Sequence, residues 1–397
     1  MARKKVVLAF SGGLDTSFCV LYLKEMGYDV ITVTADLGGF SEDELKHIES
    51  RSKELGATKH YTIASAERFF NKMITKAIKT NALYEDSYPL CAAMNRYVIC
   101  ETVADIVKKE HANAVSHGST GAGNDQIRFD VSFATLLPNI EIIAPVRDSK
   151  FTREQEAEYL KRHGFDVSDK KSEYSIDESL WGRTISGGDI DNPEKSVPEE
   201  AYKWVSSIEK TPDKPEYITI TFESGIPVKI NDKKFEHMIS IKKLNELGGR
   251  HGIGRELYIG NCTVGIKGRL AFEIPAAKIV INAHKALEQL VLARNQIIVK
   301  NFVDDYWTSL VFHAQYYDPV IKDLESFVDS CQERVSGEVE MKLFKGNVAV
   351  MSTKSEYSMI KPDIALYGQR YSFNPEDIKG FITLWGMQSK LSRKKSE

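Results

Sequence analysis

Residues 6–17, VVLAFSGGLDTS, constrain this chain more than any other stretch. Val6, Val7 and Leu8 form an unalternating apolar run, as expected of a parallel strand buried on both faces. The run breaks into Ser11-Gly12-Gly13, and Asp15-Thr16-Ser17 then opens a helical pattern that continues to Met26. Strand, tight loop and helix start therefore fall within twelve residues. Two glycines let the backbone take positive φ and come close to a ligand. The first turn of a helix offers unpaired N–H groups and a partial positive charge, and the Ser and Thr hydroxyls add donors. Such an assembly suits an anion with several oxygens, such as pyrophosphate.

The residues of the loop exclude two other phosphate binders. No Gly-Lys-Ser/Thr follows, so it is not a Walker A loop, and the G-x-G-x-x-G dinucleotide spacing is absent. Ser-Gly-Gly-x-Asp-Thr-Ser after a strand resembles the pyrophosphate loop of the ATP pyrophosphatase superfamily, whose members cleave ATP between the α and β phosphates. The plainer alternative is a glycine-rich turn capped by Asp15 with no ligand.

Strands and helices alternate over the first 165 residues. Strands are expected at 30–34, 59–63, 113–116 and 140–143, and helices at 42–55, 65–80, 90–109 and 152–163. Ser41 with Glu44 makes a capping box for the first of these helices. The pattern implies an α/β fold with a parallel sheet covered on both faces, and ligands of such sheets lie at the carboxyl ends of the strands. A second glycine-rich loop, His117-Gly118-Ser119-Thr120-Gly121-Ala122-Gly123, is expected at that same edge.

The pattern changes near Asp169-Lys170-Lys171. Residues 187–215 are polar and hold four prolines, as expected of irregular surface chain. An antiparallel strand at 217–223, a helix at 236–247 stopped by Gly248-Gly249, short strands within 256–272, long helices at 275–295 and 301–328, and a hairpin across Lys345-Gly346 describe an α+β domain. Phe381, Leu384 and Trp385 mark an apolar C-terminal arm suited to docking on another subunit. The expected divisions are 1–168, 169–360 and 361–397.

A chain of 397 residues, 42% hydrophobic and 27% charged with net charge −3, is ordinary for a soluble protein. A pI near 6.4 gives no electrostatic reason to expect nucleic acid as a partner. No apolar run approaches a membrane span, and the start Met-Ala-Arg-Lys-Lys is not a secretory signal. Five cysteines without a CxxC pair fit a reducing cytoplasm and argue against a metal knuckle.

Two further segments carry chemistry. In the second loop and its sequel, Asn124, Asp125 and Arg128 fall on about one helical turn, where they can face one site. Arg128 offers a planar fork for a carboxylate; a helix cap with an exposed, ion-paired Arg is the alternative. The third segment, Tyr174-Ser175-Ile176-Asp177-Glu178-Ser179-Leu180 running on to Arg183-Thr184, lies at the change of pattern. It is either one wall of a cleft or a linker.

Taken in order, 11–17, 117–129, 174–180, His251-Gly252-Ile253-Gly254-Arg255 and Leu384-Trp385-Gly386 resemble segments of argininosuccinate synthases, and the resemblance runs over nearly the whole chain. It implies an adenine nucleotide alpha hydrolase-like domain followed by a synthetase domain. It implies condensation of L-citrulline with L-aspartate, with ATP and Mg²⁺ consumed as substrate nucleotide, no tightly bound cofactor, and a cytoplasmic homotetramer of arginine biosynthesis and the urea cycle. ATP would be held by Ala9, Phe10, Ser11, Gly12, Gly13, Leu14, Asp15, Thr16, Ser17, Ala35, His117 and Gly118. Thr120, Asn124 and Asp125 would bind aspartate. Tyr88, Asn124, Arg128, Ser175 and Thr184 would bind citrulline, and Thr184 stands where the family has serine. Asp15, Ser17 and Asp125 are the side chains expected to act in the chemistry, and no protein side chain is assigned as a metal ligand.

The acceptor end departs from the family. Cys91-Ala92-Ala93 replaces a glycine and small hydroxyl residues, Gly260 replaces a glutamate, Phe272 a tyrosine, and Ala122 a lysine. The missing glutamate and tyrosine would contact the amino-acid end of citrulline. The alternatives are compensation by neighbouring groups, an aspartate ligase for another ureido, guanidino or amide acceptor, and a nucleotide or amino-acid sensor without turnover. A tRNA-modifying member of the superfamily is disfavoured by the acidic pI and the unpatterned cysteines.

Overall fold

The structure, a computed structural model, describes residues 3–165 and 174–393. The expected division at 168/169 lies outside the described residues. The first strand, Lys5–Ala9 (β1), is joined by the glycine loop to helix Leu14–Glu25 (α1). Then come Asp29–Asp36 (β2), Glu42–Glu54 (α2) and Lys59–Ala64 (β3). Helix Cys91–Glu110 (α3), Ala114–Ser116 (β4), Asp125–Leu136 (α4), Glu141–Ile143 (β5) and Arg153–Arg162 (α5) complete the first part.

These five strands form one sheet in the order β3-β2-β1-β4-β5, every pairing parallel. The apolar run of β1 is explained by its two faces. Val6 and Leu8 pack with Phe18 and Leu160 on the α1/α5 side, and Val7 and Ala9 pack with Val103 and Phe133 on the α3/α4 side. Both neighbours of β1 reach it by crossovers on opposite faces, so the sheet order reverses between β1 and β4. That reversal opens a crevice at their carboxyl ends. The Ser41–Glu44 capping box is present as expected. The helical run over 65–80 forms as Ala66–Phe69, a π-helical turn Phe70–Ile74, and Thr75–Lys79, with Phe69, Phe70, Met73, Ile74 and Ile78 all buried.

The second part is built on two antiparallel sheets. Ser175–Ser179 (β6), Gly182–Ser186 (β7), Arg255–Asn261 (β11) and Lys267–Glu273 (β12) make one, in the order β11-β12-β7-β6. The other is β10-β9-β8-β13-β14, from Glu216–Glu223 (β8), Ile226–Ile230 (β9), Lys233–Lys234 (β10), Gly337–Phe344 (β13) and Asn347–Lys354 (β14). Helix Pro275–Val291 (α7) packs its apolar face on β13, β14 and helix His237–Arg250 (α6). An α/β domain with a five-stranded parallel sheet, an antiparallel domain and C-terminal helices is thus the observed architecture.

Two expectations are corrected, and one open alternative is decided. The third segment is a hairpin, with Asp177 opposite Thr184, and not a linker. Gly248-Gly249 does not stop α6, because close approach and not chain reversal uses these glycines. A Cβ at Gly248 would lie 2.7 Å from Cβ of Pro275, and one at Gly249 would lie 2.1 Å from the carbonyl oxygen of Trp204. The helix expected over 301–328 is two, Arg294–Phe312 (α8) and Pro319–Gln332 (α9), broken where Ala314 takes φ +66° and Asp318 caps α9 ahead of Pro319.

Residues 187–215 contain only short 3₁₀ turns, as expected of irregular chain. They are not simply surface, because Ile190, Ala201 and Val205 are buried. Fully buried Glu273 explains this path. Its carboxylate accepts the backbone N–H groups of Lys203 (3.0 Å), Trp204 (2.7 Å) and Val205 (2.8 Å) and pairs with Arg183 at 2.7 Å.

The C-terminal helix Pro375–Trp385 (α10) has no buried residue, and Phe381, Ile382, Leu384 and Trp385 are all exposed on it. Among the described residues no helix is long and apolar enough to cross a membrane.

Candidate active site at the carboxyl edge of the parallel sheet

The loop after β1 is held open by its own geometry. Gly12 has φ +76°, and a Cβ there would stand 3.1 Å from Cγ1 of Ile48 on α2, a contact tight enough that Ile48 would have to give way. Gly13 is the N-cap of α1 in extended conformation, with no side chain capping the helix. The first-turn N–H groups therefore face the loop unblocked. Ser11 Oγ and Thr16 Oγ1 lie 3.3 Å apart across the turn, and Ser17 is buried beneath it with its N–H on the Gly13 carbonyl. Phe10 is tied to β2 by its N–H on the Val33 carbonyl and by the Thr34 hydroxyl on its own carbonyl. That places Ala35, which is buried, alongside the loop's origin.

The second loop follows β4, the strand across the switch point. A Cβ at Gly118 would meet Thr16 Cγ2 at 3.2 Å and the Asp15 backbone at 3.4 Å, so the two glycine-rich loops touch. His117 is fully buried, stacked on Phe129 at 5.0 Å. Its Nδ1 accepts the Ser119 N–H (3.2 Å) and its Nε2 faces Asp130 (2.8 Å), so Nε2 carries the proton. The imidazole thereby fixes the loop's departure and is not aimed at a ligand. Thr120 is exposed at the loop's crest.

Asn124, Asp125 and Arg128 come together as expected on the first turn of α4. The Asn124 side-chain oxygen accepts the Thr263 N–H from the β11–β12 turn at 2.7 Å. Arg128, 4% exposed, donates Nε and Nη2 to the Phe312 carbonyl (3.1 and 2.8 Å) and Nη1 to Asp125 (3.0 Å). Three of the five guanidinium N–H groups are thus used and two remain for a ligand. Burial works to raise the Asp125 pKa, but Arg96 and then Arg128 outweigh it and hold the carboxyl below its usual value.

Arg96 is a site residue the motif reading missed. It stands on α3 and binds Asp125 at 2.8 Å and Asp177 on β6 at 2.6 Å, joining the second loop to the third segment. A lone cation in an otherwise apolar stretch of α3 was the signal available. Glu156 on α5 was missed as well. It is 1% exposed and lies against Asp15; burial first, and Asp15 second, push its carboxyl up to about 8. The two carboxyl groups face each other and share a hydrogen bond, with the proton on Glu156.

The acceptor residues are only partly convergent. Tyr88 is buried, and its hydroxyl accepts the Ala92 N–H at 2.9 Å, which leaves its proton to donate. Its ring and the Arg128 guanidinium both border Phe312, at 6.3 and 5.1 Å. Thr184 is buried on β7 between Asp177 and Phe272, whereas Ser175 is exposed at the outer end of β6. The hairpin nonetheless reaches the nucleotide edge. The Leu180 N–H bonds the Leu37 carbonyl at 3.0 Å, and a Cβ on Gly39 would lie 2.2 Å from the Glu178 carbonyl oxygen.

A phosphate-suited loop at the switch point, a second loop against it and a strand hairpin closing the edge define an ATP-binding α/β protein with an appended antiparallel domain. Comparison with known families agrees. The arginosuccinate synthase N-terminal HUP domain matches residues 5–166, and the arginosuccinate synthase C-terminal domain matches residues 174–392. The chain belongs to the argininosuccinate synthase family. It is 46% identical to the argininosuccinate synthase of Pyrococcus furiosus, over 98% of this chain and 94% of the relative. For those of Hyperthermus butylicus and Archaeoglobus fulgidus the identities are 43% and 44%, over 98% of this chain and 98% and 99% of the relatives.

Proposed function

We propose that this chain condenses L-citrulline with L-aspartate, converting ATP to AMP and diphosphate and forming argininosuccinate. The observation that carries the reading is the contact of the two glycine-rich loops at the reversal of the sheet, with Gly118 against Thr16.

The ureido carbon of citrulline is a poor electrophile and has to be activated. Its oxygen attacks the α-phosphorus, the bond to the β-phosphate breaks, and diphosphate leaves into the loop formed by residues 11–17. The aspartate amine then attacks the ureido carbon, and AMP departs with the carbon–oxygen bond electrons. Such chemistry depends on positioning and on donors aimed at developing charge. Here the donors are the loop N–H groups, the end of α1 and the hydroxyls of Ser11 and Thr16. Mg²⁺ arrives with the nucleotide and offsets its charge. Asp15, on the first turn of α1, is the carboxylate beside the loop that would face the metal-bound nucleotide. Thr120, Asn124 and Asp125 hold aspartate; Tyr88, Asn124, Arg128, Ser175 and Thr184 hold citrulline.

We take the exposed apolar face of α10 as an arm that packs on other subunits of a cytoplasmic homotetramer, with residues 1–168 and 169–360 as the two preceding domains.

The test is diphosphate release with each substrate omitted in turn. Release is expected only with ATP, citrulline and aspartate together in multiple turnover. Equal release without citrulline, or none with all three, contradicts the reading.

A further inference from the structure

The face of the β11–β12 hairpin that looks toward Tyr88 carries Glu256, Tyr258 and Gly260, paired in register with Phe272, Leu270 and Gly268. Gly260 leaves a bare patch there, and Tyr258 leans into it. A Cβ at residue 260 would lie 1.6 Å from the Tyr258 hydroxyl and 1.8 Å from the ring carbon that bears it. This position of Tyr258 therefore exists only because residue 260 has no side chain.

Tyr258 is 8% exposed, and its buried hydroxyl lies beside the Glu85 carboxylate, its natural acceptor, which leaves the hydroxyl lone pairs unused. A hydroxyl that donates to a carboxylate can still accept from a cationic N–H group. Its ring lies 6.1 Å from those of both Tyr84 and Tyr88. Tyr84 and Tyr88 close a tight turn through the Tyr84 N–H on the Tyr88 carbonyl at 2.7 Å, and Glu85 projects from that turn. The Glu85 carboxylate reaches Asn261 Nδ2 at 3.3 Å, directly after Gly260. Three tyrosine rings and one carboxylate thus gather at one place, an arrangement that recognises an organic ammonium through ring faces and charge.

We infer that Tyr258 and Glu85 form the subsite for the α-ammonium group of the acceptor, and so set its specificity. The inference rests on the citrulline reading of the site. Tyr258 offers its hydroxyl lone pair and ring face, and Glu85 offers the countercharge. Both act on binding of the acceptor's far end, away from the ureido group that reacts.

The experiment measures steady-state AMP formation with L-citrulline and with 5-ureidopentanoate, its analogue lacking the amino group, for wild type, Glu85→Gln and Tyr258→Phe. Glu85 is exposed, so its substitution leaves folding intact. Each substitution should raise the citrulline KM about tenfold and change kcat much less. The analogue should be a poorer substrate than citrulline for wild type, and Glu85→Gln should narrow the gap. Unchanged citrulline KM in both variants, or equal use of the two acceptors by wild type, overturns the inference while leaving the synthase activity standing. A wild type that forms no AMP with citrulline overturns the activity itself and the subsite with it.

Discussion

Gly12→Val is expected to lower kcat/KM for ATP by about a hundredfold, the loss typical of misplacing a reacting group by about 1 Å. Two effects combine. The residue sits at φ +76°, where a β-branched side chain is strained by about 1–3 kcal/mol. Its Cβ also meets Ile48 Cγ1 at 3.1 Å, so relief of strain moves the loop away from α2. The first-turn N–H groups of α1 would then no longer converge on the diphosphate. Gly12→Ala keeps the φ penalty with less crowding and should fall between wild type and valine. Kinetics at varied ATP, beside a thermal melt showing the sheet intact, distinguish a displaced loop from an unfolded domain. Wild-type kcat/KM in the valine variant would show that the loop does not hold the nucleotide.

Arg96→Met should be the most damaging single change to the link between the second loop and the β6–β7 hairpin. Arg96 bridges Asp125 and Asp177, at 2.8 and 2.6 Å, and removing it leaves Asp125 with Arg128 and Asp177 with the Asn95 amide, with no cation between the two carboxylates. Breaking a fully buried pair costs about 3–5 kcal/mol and an exposed one about 1 or less. Asp125 is one-third exposed and Arg96 14% exposed, which argues for a loss of about 2–3 kcal/mol.

The pH dependence carries a sign. Asp125 has a depressed carboxyl pKa in the folded protein, so its stabilising contribution is present above its unfolded value and is lost as pH falls through the folded one. The stability gap between wild type and Arg96→Met should therefore be widest near neutral pH and close on acidification. Denaturant titrations at several pH values measure it. A gap that stays constant with pH would mean that Arg96 acts through packing and not through charge. Activity should fall in the same variant, because the tether between the second loop and the β6–β7 hairpin is gone.

Local patterns carried much of the fold. An apolar strand running into Ser-Gly-Gly and a helix start located the nucleotide loop, and Ser41 with Glu44 located the start of α2. What stayed hidden depends on long-range partners. Nothing near Gly248 and Gly249 announces that Pro275 and Trp204 pack against them, so a packing glycine pair reads as a helix stop. Tyr174 to Thr184 leaves a cleft wall and a linker both open in sequence, because β7 takes its strand character from pairing with β12, some ninety residues later. Arg96 is separated from Asp125 by 29 residues and from Asp177 by 81, and no local spacing links them. The break before α9 was readable, since Asp318-Pro319 is a helix-start signal that the apolar periodicity on either side concealed. The loss of a glutamate at residue 260 was visible in sequence; that Tyr258 fills its place was not, because a bare glycine does not say which neighbour leans over it.

The most direct measurement follows the ureido oxygen. Citrulline carrying oxygen-18 in that group is incubated with ATP, aspartate and enzyme, and the products are weighed by mass spectrometry. If residues 11–17 draw off diphosphate while the ureido oxygen attacks the α-phosphorus, the label appears in AMP and is absent from diphosphate. Unlabelled AMP, or ADP and orthophosphate as the products, would contradict it.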